Sequence, residues 1–200
     1  MKTLIEKTIA AIKSPDENVM VQTQKRLDCL TKPRGSLGKL EELAKQISGI
    51  RRNPLPDLKR KKIFVFVGDH GVTDEGVSAY PKEVTVQMVL NFIKEGAAIN
   101  VLANHIGAGV RVVDMGVGQD IEIDNDKLKK MKVGYGTKDM SKGPAMSMEE
   151  AEKSICAGIE VMESENADII GIGEMGIGNT TSSSAIAAAV TGAGVEKVTG

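Results

Sequence analysis

Tryptophan is absent from this 200-residue sequence, and aromatic residues reach only 2%. A surface that stacks bases on rings is therefore not expected, nor is a nucleic-acid partner, although residues 1–62 carry 15 Lys and Arg against 7 Asp and Glu. That basic third is read as solvated helix faces; the remainder holds 11 against 20, and the net charge is −1. Cysteine is nearly as scarce. Cys29 and Cys156 stand far apart with no Cys-x-x-Cys, which argues against a disulfide framework or a zinc set, and both are expected to be buried, reduced thiols. No second His or Cys stands near His70, so no metal and no cofactor is indicated. No apolar run has membrane-spanning length, and the start Met1-Lys2-Thr3-Leu4-Ile5-Glu6-Lys7 lacks the uncharged core of a signal peptide. A cytoplasmic protein without a membrane partner is the expectation.

What is present suits one α/β domain with a small appendage. Hydrophobic residues make up 41%, and ten Met help Ile, Val, Leu and Ala to fill a core that has few rings. The first sixty residues read as helical: Thr3-Leu-Ile-Glu6 and Ser14-Pro15-Asp16-Glu17 resemble capping boxes, the second with Pro at the first helical position. Val19, Leu27 and Leu30 are expected near one face of the second helix, and Leu40, Leu43, Ile47 and Ile50 repeat at three-and-four spacing in a third. Between them, Thr31 to Gly38 combines Pro, Gly and two cations, as a surface turn or a pocket wall. From Lys62 the pattern becomes strand, turn, helix. Ile63–Val67, Val110–Asp114 and Ile169–Ile172 are short apolar runs, with helices expected over 81–94, 97–105 and from Ser147 towards Glu163, the signature of βαβ units. Residues 116–146 read as irregular connection, with Ile121 to Ile123 a candidate further edge strand.

Three glycine-bearing turns follow these strands: Gly68-Asp69-His70-Gly71, Asp114-Met115-Gly116-Val117-Gly118 and Gly173 to Gly178. Ligands of open α/β sheets sit beyond the carboxyl ends of strands, so all three are expected to line one crevice. In the last, Ala167–Ile172 reads as a buried strand emptying into glycines and then into an alanine-rich helix over Ser182–Val190. Gly173, Gly176 and Gly178 let a ligand approach the backbone, the helix start favours an anion, and Asn179, Thr180 and Thr181 add hydrogen bonds, so a phosphate fits; a plain strand-to-helix turn is the other reading. The spacing is neither Gly-x-Gly-x-x-Gly nor the Lys-bearing phosphate loop. Glu174 lies beside that anion site, where an apolar setting would raise its pKa, unless it only bonds to turn amides. Asp69 and His70 suit proton transfer or hydroxyl orientation, or else a structural pair. Tyr80 is expected on a pocket wall. Ser182, Ser183 and Ser184 lack a Gly-x-Ser-x-Gly elbow and read as helix-start hydrogen bonders.

Ordered blocks over residues 31–181 resemble a known family, the nicotinate-nucleotide:dimethylbenzimidazole phosphoribosyltransferases of cobalamin lower-ligand assembly. They are Thr31-Lys-Pro-Arg-Gly-Ser-Leu-Gly38, Gly68-Asp-His-Gly-Val72, Gly76-Val-Ser-Ala-Tyr-Pro81 with Val84-Thr85 and Gln87-Met88, Gly96-Ala-Ala-Ile-Asn100, and Gly173-Glu-Met-Gly-Ile-Gly-Asn-Thr-Thr181. The resemblance implies a mostly parallel Rossmann-like sheet flanked by helices, a helical subdomain over 1–60, and an α/β part over 61–200. It implies transfer of the 5-phosphoribosyl group from nicotinate mononucleotide to a benzimidazole base, with inversion, giving α-ribazole phosphate and nicotinate. Tyr80 and Gln87, with Ser78, Asp69 and His70, would then serve the base; Glu174 and Gly176, with Gly173, Gly178, Asn179, Thr180 and Thr181, would serve the ribose phosphate. A homodimer is implied as well.

Family members are longer, and their general-base glutamate lies in a C-terminal glycine-rich segment with no counterpart before Gly200. The expectation is therefore an incomplete sheet, with Glu174 a supporting or substitute base. The competing class is a non-catalytic nucleotide- or base-binding module, or an inactive short form; a different glycosyl or phosphoryl transferase would need an acidic pair or metal set that is not visible. A product assay on the 200-residue chain is expected to show no α-ribazole phosphate. Turnover that Glu174→Gln abolishes would instead make Glu174 the base.

Overall fold

A computed structural model describes residues 3–199. Met1, Lys2 and Gly200, the outer ends of the two segments expected from sequence, lie outside them. The chain divides into two compact units, Met1–Lys59 and Arg60–Gly200.

The first unit holds α1 (Leu4–Ala11), α2 (Glu17–Asp28) and α3 (Lys39–Arg51). Thr3 and Glu6 form the expected reciprocal cap. At α2 the cap is Asp16, whose carboxylate accepts from Val19 N at 3.1 Å, so Ser14 is not the cap and Pro15 precedes the helix. α2 also stops before Leu30, because the Cys29 amide turns back to Arg26 and tightens the last turn. The Thr31–Gly38 linker is tied to α3 by Glu41, which accepts from Lys32 Nζ at 2.7 Å and Leu37 N at 3.2 Å; the Lys32 bond holds the Glu41 carboxyl below its ordinary value. The stripe expected on α3 leaves Leu40, Leu43 and Ile50 exposed, and Leu40 and Leu43, with Leu27, Leu30 and Leu55, border an apolar groove of about 490 Å³.

The second unit is a four-stranded, all-parallel sheet in the order β3-β2-β1-β4: β1 Lys61–Gly68, β2 Ala108–Gly116, β3 Leu128–Lys130 and β4 Ile169–Met175. Four helices accompany it: α4 (Val84–Ile93), α5 (Ala98–His105), α6 (Met148–Glu163) and α7 (Asn179–Thr191). Alternation along β1 divides the core. Val65 and Val67 pack with Val112 and with Val89, Phe92 and Ile93 of α4, whereas Phe64 and Phe66 turn to the opposite face with Val113 and with Val161 of α6. The α6 start is capped by Ser147 and Glu150, as its sequence indicates. Asp168 fastens the feet of β1 and β4 together, accepting from Arg60 N and Nε, each at 3.0 Å.

Four expectations need correction. Ile121–Ile123 is not a strand: Leu128–Lys130 takes that place by pairing with Val112–Asp114, and Ile121 instead buries its side chain in the core. β4 runs on through Gly173 to Met175, since its ladder with Val65–Val67 continues, and α7 starts at Asn179, so Asn179, Thr180 and Thr181 are helical. β4 is also an edge strand. Ile172 is 78% exposed, and α7 buries no residue, with Val190 80% exposed. Finally, Cys29 is exposed and Cys156 only half-buried, because one closes α2 at the surface and the other sits on the flank of α6. No helix among the described residues is long and apolar enough to cross a membrane.

Denaturant unfolding of the chain is expected to show Phe64→Ala costing about 3–5 kcal/mol, because it empties a fully buried position. Ile172→Ala, at the open edge, is expected to change stability by no more than about 0.5 kcal/mol. Equal losses would contradict the packing described.

Candidate active site

The strand order places β2 and β3 on one side of β1 and β4 on the other, so the topology reverses between β1 and β4. A crevice opens beyond the carboxyl ends of such neighbours, since the connections leaving them diverge. A cavity of about 440 Å³ lies there, within the size range of small-molecule sites. All three glycine-bearing turns reach it: Asp69 and His70 after β1, Met115 and Gly116 at the end of β2, and Glu174, Met175 and Asn179 from β4 and α7.

The turns come close because glycine permits it. A Cβ on Gly176 would stand 2.1 Å from Gly68 O and 3.2 Å from the His70 ring, and Gly178 adopts a left-handed φ of 86° beside Thr73. Ile177 N donates to the fully buried Thr85 Oγ1 at 3.2 Å, which pins this turn to α4. Ser182 Oγ lies 3.1 Å from His70 Nδ1, and the Asn179 side chain also hydrogen-bonds the ring. Gly173 belongs to the β4 ladder and lines neither this cavity nor its smaller neighbour. Thr180 and Thr181 open α7, and neither amide meets a backbone acceptor among the described residues.

Across the cavity stands a wall from the segment that reads, in sequence, as irregular connection. Tyr135, Thr137, Lys138 and Met146 line it, together with Glu150 and Ser154 of α6. Thr137 N donates to Asp69 O at 3.0 Å, and a Cβ on Gly71 would meet Lys138 C and Asp139 N at 2.5 Å. The Gly134-Tyr135-Gly136-Thr137 alternation was the available signal, since close backbone approach needs such glycines. Lys142 holds the Asp139 carboxyl well below the usual range, and Asp139 and Glu75 raise the Lys142 ammonium in return. Asp114, 1% exposed, was also missed. Its Oδ1 accepts from Gly116 N and Val117 N at 3.0 and 2.8 Å, shaping the turn after β2. Lys132 stands 3.5 Å from Asp114 Oδ2, donates to Val117 O and Gln119 O at 2.8 Å each, and packs over the Tyr135 ring.

Asp69 Oδ2 accepts from Gly118 N at 2.7 Å, while Oδ1 is buried without a hydrogen-bond partner. Glu174 is exposed at the sheet edge, yet the water it loses on the cavity side pushes its carboxyl above the ordinary value. Burial holds the His70 imidazole below its ordinary value, against the pull of Asp69 and of the Asn179 bond. Ser78, Tyr80 and Gln87 are not brought into this cavity. Tyr80 is 66% exposed and Gln87 faces out from α4. A second cavity of about 280 Å³ adjoins the first through Asp69, His70, Tyr135, Gly136 and Thr137, and Asp74, Lys82, Glu83 and Val86 close its far side. Among the described residues no three His, Cys, Asp or Glu side chains converge on a common metal position.

Sheet and crevice together define a Rossmann-like α/β protein with a cavity of small-molecule size at the point where its topology reverses. A family model described as phosphoribosyltransferase matches residues 12–200. The nicotinate-nucleotide–dimethylbenzimidazole phosphoribosyltransferase of Geobacter metallireducens is 54% identical over 98% of this chain and 56% of its own length. Its counterpart in Desulforamulus reducens is 51% identical over 99% and 57%. The crystal structure of CobT from Thermus thermophilus superposes with a TM-score of 0.87 at 45% identity, covering 92% of this chain and 56% of the other. The chain belongs to this phosphoribosyltransferase family. It spans a little over half the length of the curated relatives it matches.

The imidazole supplies a check on the site geometry. A folded-state pKa below the ordinary 6.5 means that the unfolded chain takes up the proton first as pH falls. The stability that this group contributes is present above that value and is lost below it. Wild-type stability measured from pH 7.5 to 5 is expected to drop more steeply than that of His70→Asn; parallel curves would show that the ring is not buried as described.

Proposed function

We propose that the chain carries the nucleotide- and base-binding part of an enzyme that transfers the 5-phosphoribosyl group of nicotinate mononucleotide to 5,6-dimethylbenzimidazole or a related base. Nicotinate and α-ribazole 5'-phosphate are the products. On this reading residues 61–200 form the N-terminal part of the catalytic domain, residues 1–60 a helical subdomain, and the protein works as a cytoplasmic homodimer. The observation that carries it is the crevice itself: one cavity gathers Asp69, Glu174 and Asn179 with the Gly176 turn beside them, in a chain whose relatives carry the name of this reaction.

The phosphate is assigned to the Gly176–Gly178 turn and the first turn of α7, with Asn179, Thr180 and Thr181 as donors. Two amides without backbone acceptors and the positive end of a thirteen-residue helix favour a dianion there. Gly173, in the β4 ladder and lining neither cavity, has no contact role in this assignment. The base is assigned to the side of the smaller cavity, whose residues Asp74 and Lys82 flank the segment bearing Ser78 and Tyr80, with Gln87 a turn further along α4 and Asp69 on the shared wall. Bond formation at the anomeric carbon, opposite the departing nicotinate, inverts it and leaves a proton on the azole. A carboxylate with a raised pKa is suited to take that proton, and Glu174 is assigned this role as a supporting or substitute base.

Calorimetry with nicotinate mononucleotide tests this without turnover. Binding is expected with the wild-type chain and is expected to be lost in Gly176→Ala, whose methyl collides with Gly68 O. Asn179→Ala, which leaves the backbone in place, is expected to weaken binding about tenfold, the scale of one hydrogen bond. Failure of the wild type to bind, or indifference to both changes, would overturn the reading.

A further inference from the structure

We infer that His70 is a positioning residue: its imidazole ties the Gly176 turn and the first turn of α7 to the end of β1, setting the backbone that receives the phosphate. The ligand named here rests on the functional reading above; the tie itself does not.

Three contacts converge on this ring from a segment more than one hundred residues away. Nδ1 faces Ser182 Oγ at 3.1 Å, Asn179 hydrogen-bonds the ring, and the Cδ2–Nε2 edge fits where any side chain on Gly176 would intrude, 3.2 Å from a Cβ at that position. The other end of the strut is equally held. His70 O accepts from Thr73 N at 3.2 Å and from Thr73 Oγ1 at 2.7 Å, and that threonine packs against the Gly178 backbone. The turn therefore has two anchors, Thr85 for Ile177 and His70 for its flanks.

These contacts argue against proton transfer by the ring. Nδ1 is engaged by Ser182 and the Cδ2–Nε2 edge is turned towards Gly176, so the ring acts on substrate through Gly176, Asn179 and Ser182. Among the charged groups near it, Asp69, its chain neighbour, is the one that acts on its charge.

Variants separate the tie from general packing. His70→Asn keeps a polar atom near the Nδ1 position, whereas His70→Phe keeps the ring volume without nitrogen. With the 200-residue chain, His70→Phe is expected to weaken nicotinate mononucleotide binding about tenfold, and His70→Asn is expected to restore most of the loss. Independently, amide hydrogen exchange at Gly176, Ile177 and Asn179 to Ser182 is expected to accelerate in His70→Phe while β2 is unaffected. The chain has only two histidines, so His105 serves as the internal reference for the ring signal of His70 in NMR spectra. Unchanged exchange in His70→Phe overturns the tie, whatever the ligand does. Faster exchange with no wild-type binding of the mononucleotide keeps the tie and rejects the functional reading instead. Equal loss in Asn and Phe variants would also overturn it, because the nitrogen would then be irrelevant.

Discussion

The pairing of β1 along both its edges is the constraint on which the α/β unit depends. One crossover leads from β1 to β2 and a later one returns the chain to the opposite edge as β4, so the loops leaving β1 and β4 part from each other at the top of the sheet. Open space at that point is a consequence of connectivity, before any side chain is considered. The side chains of β1 then decide what surrounds it: valines bind α4 to one face and phenylalanines bind α6 to the other, so α6 delivers Glu150 and Ser154 to the larger cavity and α4 delivers Val86 to the smaller.

Glycine works in this rim by subtraction. At Gly176 the absent side chain lets two strand ends close on each other, and at Gly71 it lets the 137–139 segment lie against the residues after β1. Polar groups then lock what the glycines admit. Asp114 shapes the turn after β2 from within the sheet, and Lys132 fills a cage of two carbonyls, the carboxylates of Asp114 and Asp120, and the Tyr135 ring. The result is a site whose irregular backbone is specified by named contacts, which is what ordered binding of a small ligand requires.

Much of this was legible from the residues in order. The strand-turn-helix rhythm from Lys62, the caps at Thr3 and Ser147 and the convergence of three glycine turns all rest on local physics, and local physics is written in adjacent residues. The misses have a common cause. β3 is decided by what Val112 offers as a partner, so the aliphatic Ile121–Ile123 lost to the less apolar Leu128–Lys130. Asp16 displaced Ser14 as a cap through the competing chemistry of neighbouring side chains. The wall at 134–146 and the Lys132 cage form only through contacts with distant turns, and composition alone made that segment look featureless. Ser78, Tyr80 and Gln87 carry the family resemblance, yet their placement away from the larger cavity could not be read from spacing.

Asp69 and His70 are adjacent, yet they reach opposite ways. The first takes the amide of Gly118 beyond β2, and the second takes the serine and asparagine of the helix beyond β4. A single peptide unit thus works as the pivot of a balance whose pans are loops from the two strands flanking β1. The spacing between those two loops at the top of the sheet is therefore set by consecutive side chains of one turn and not by the packing of the core.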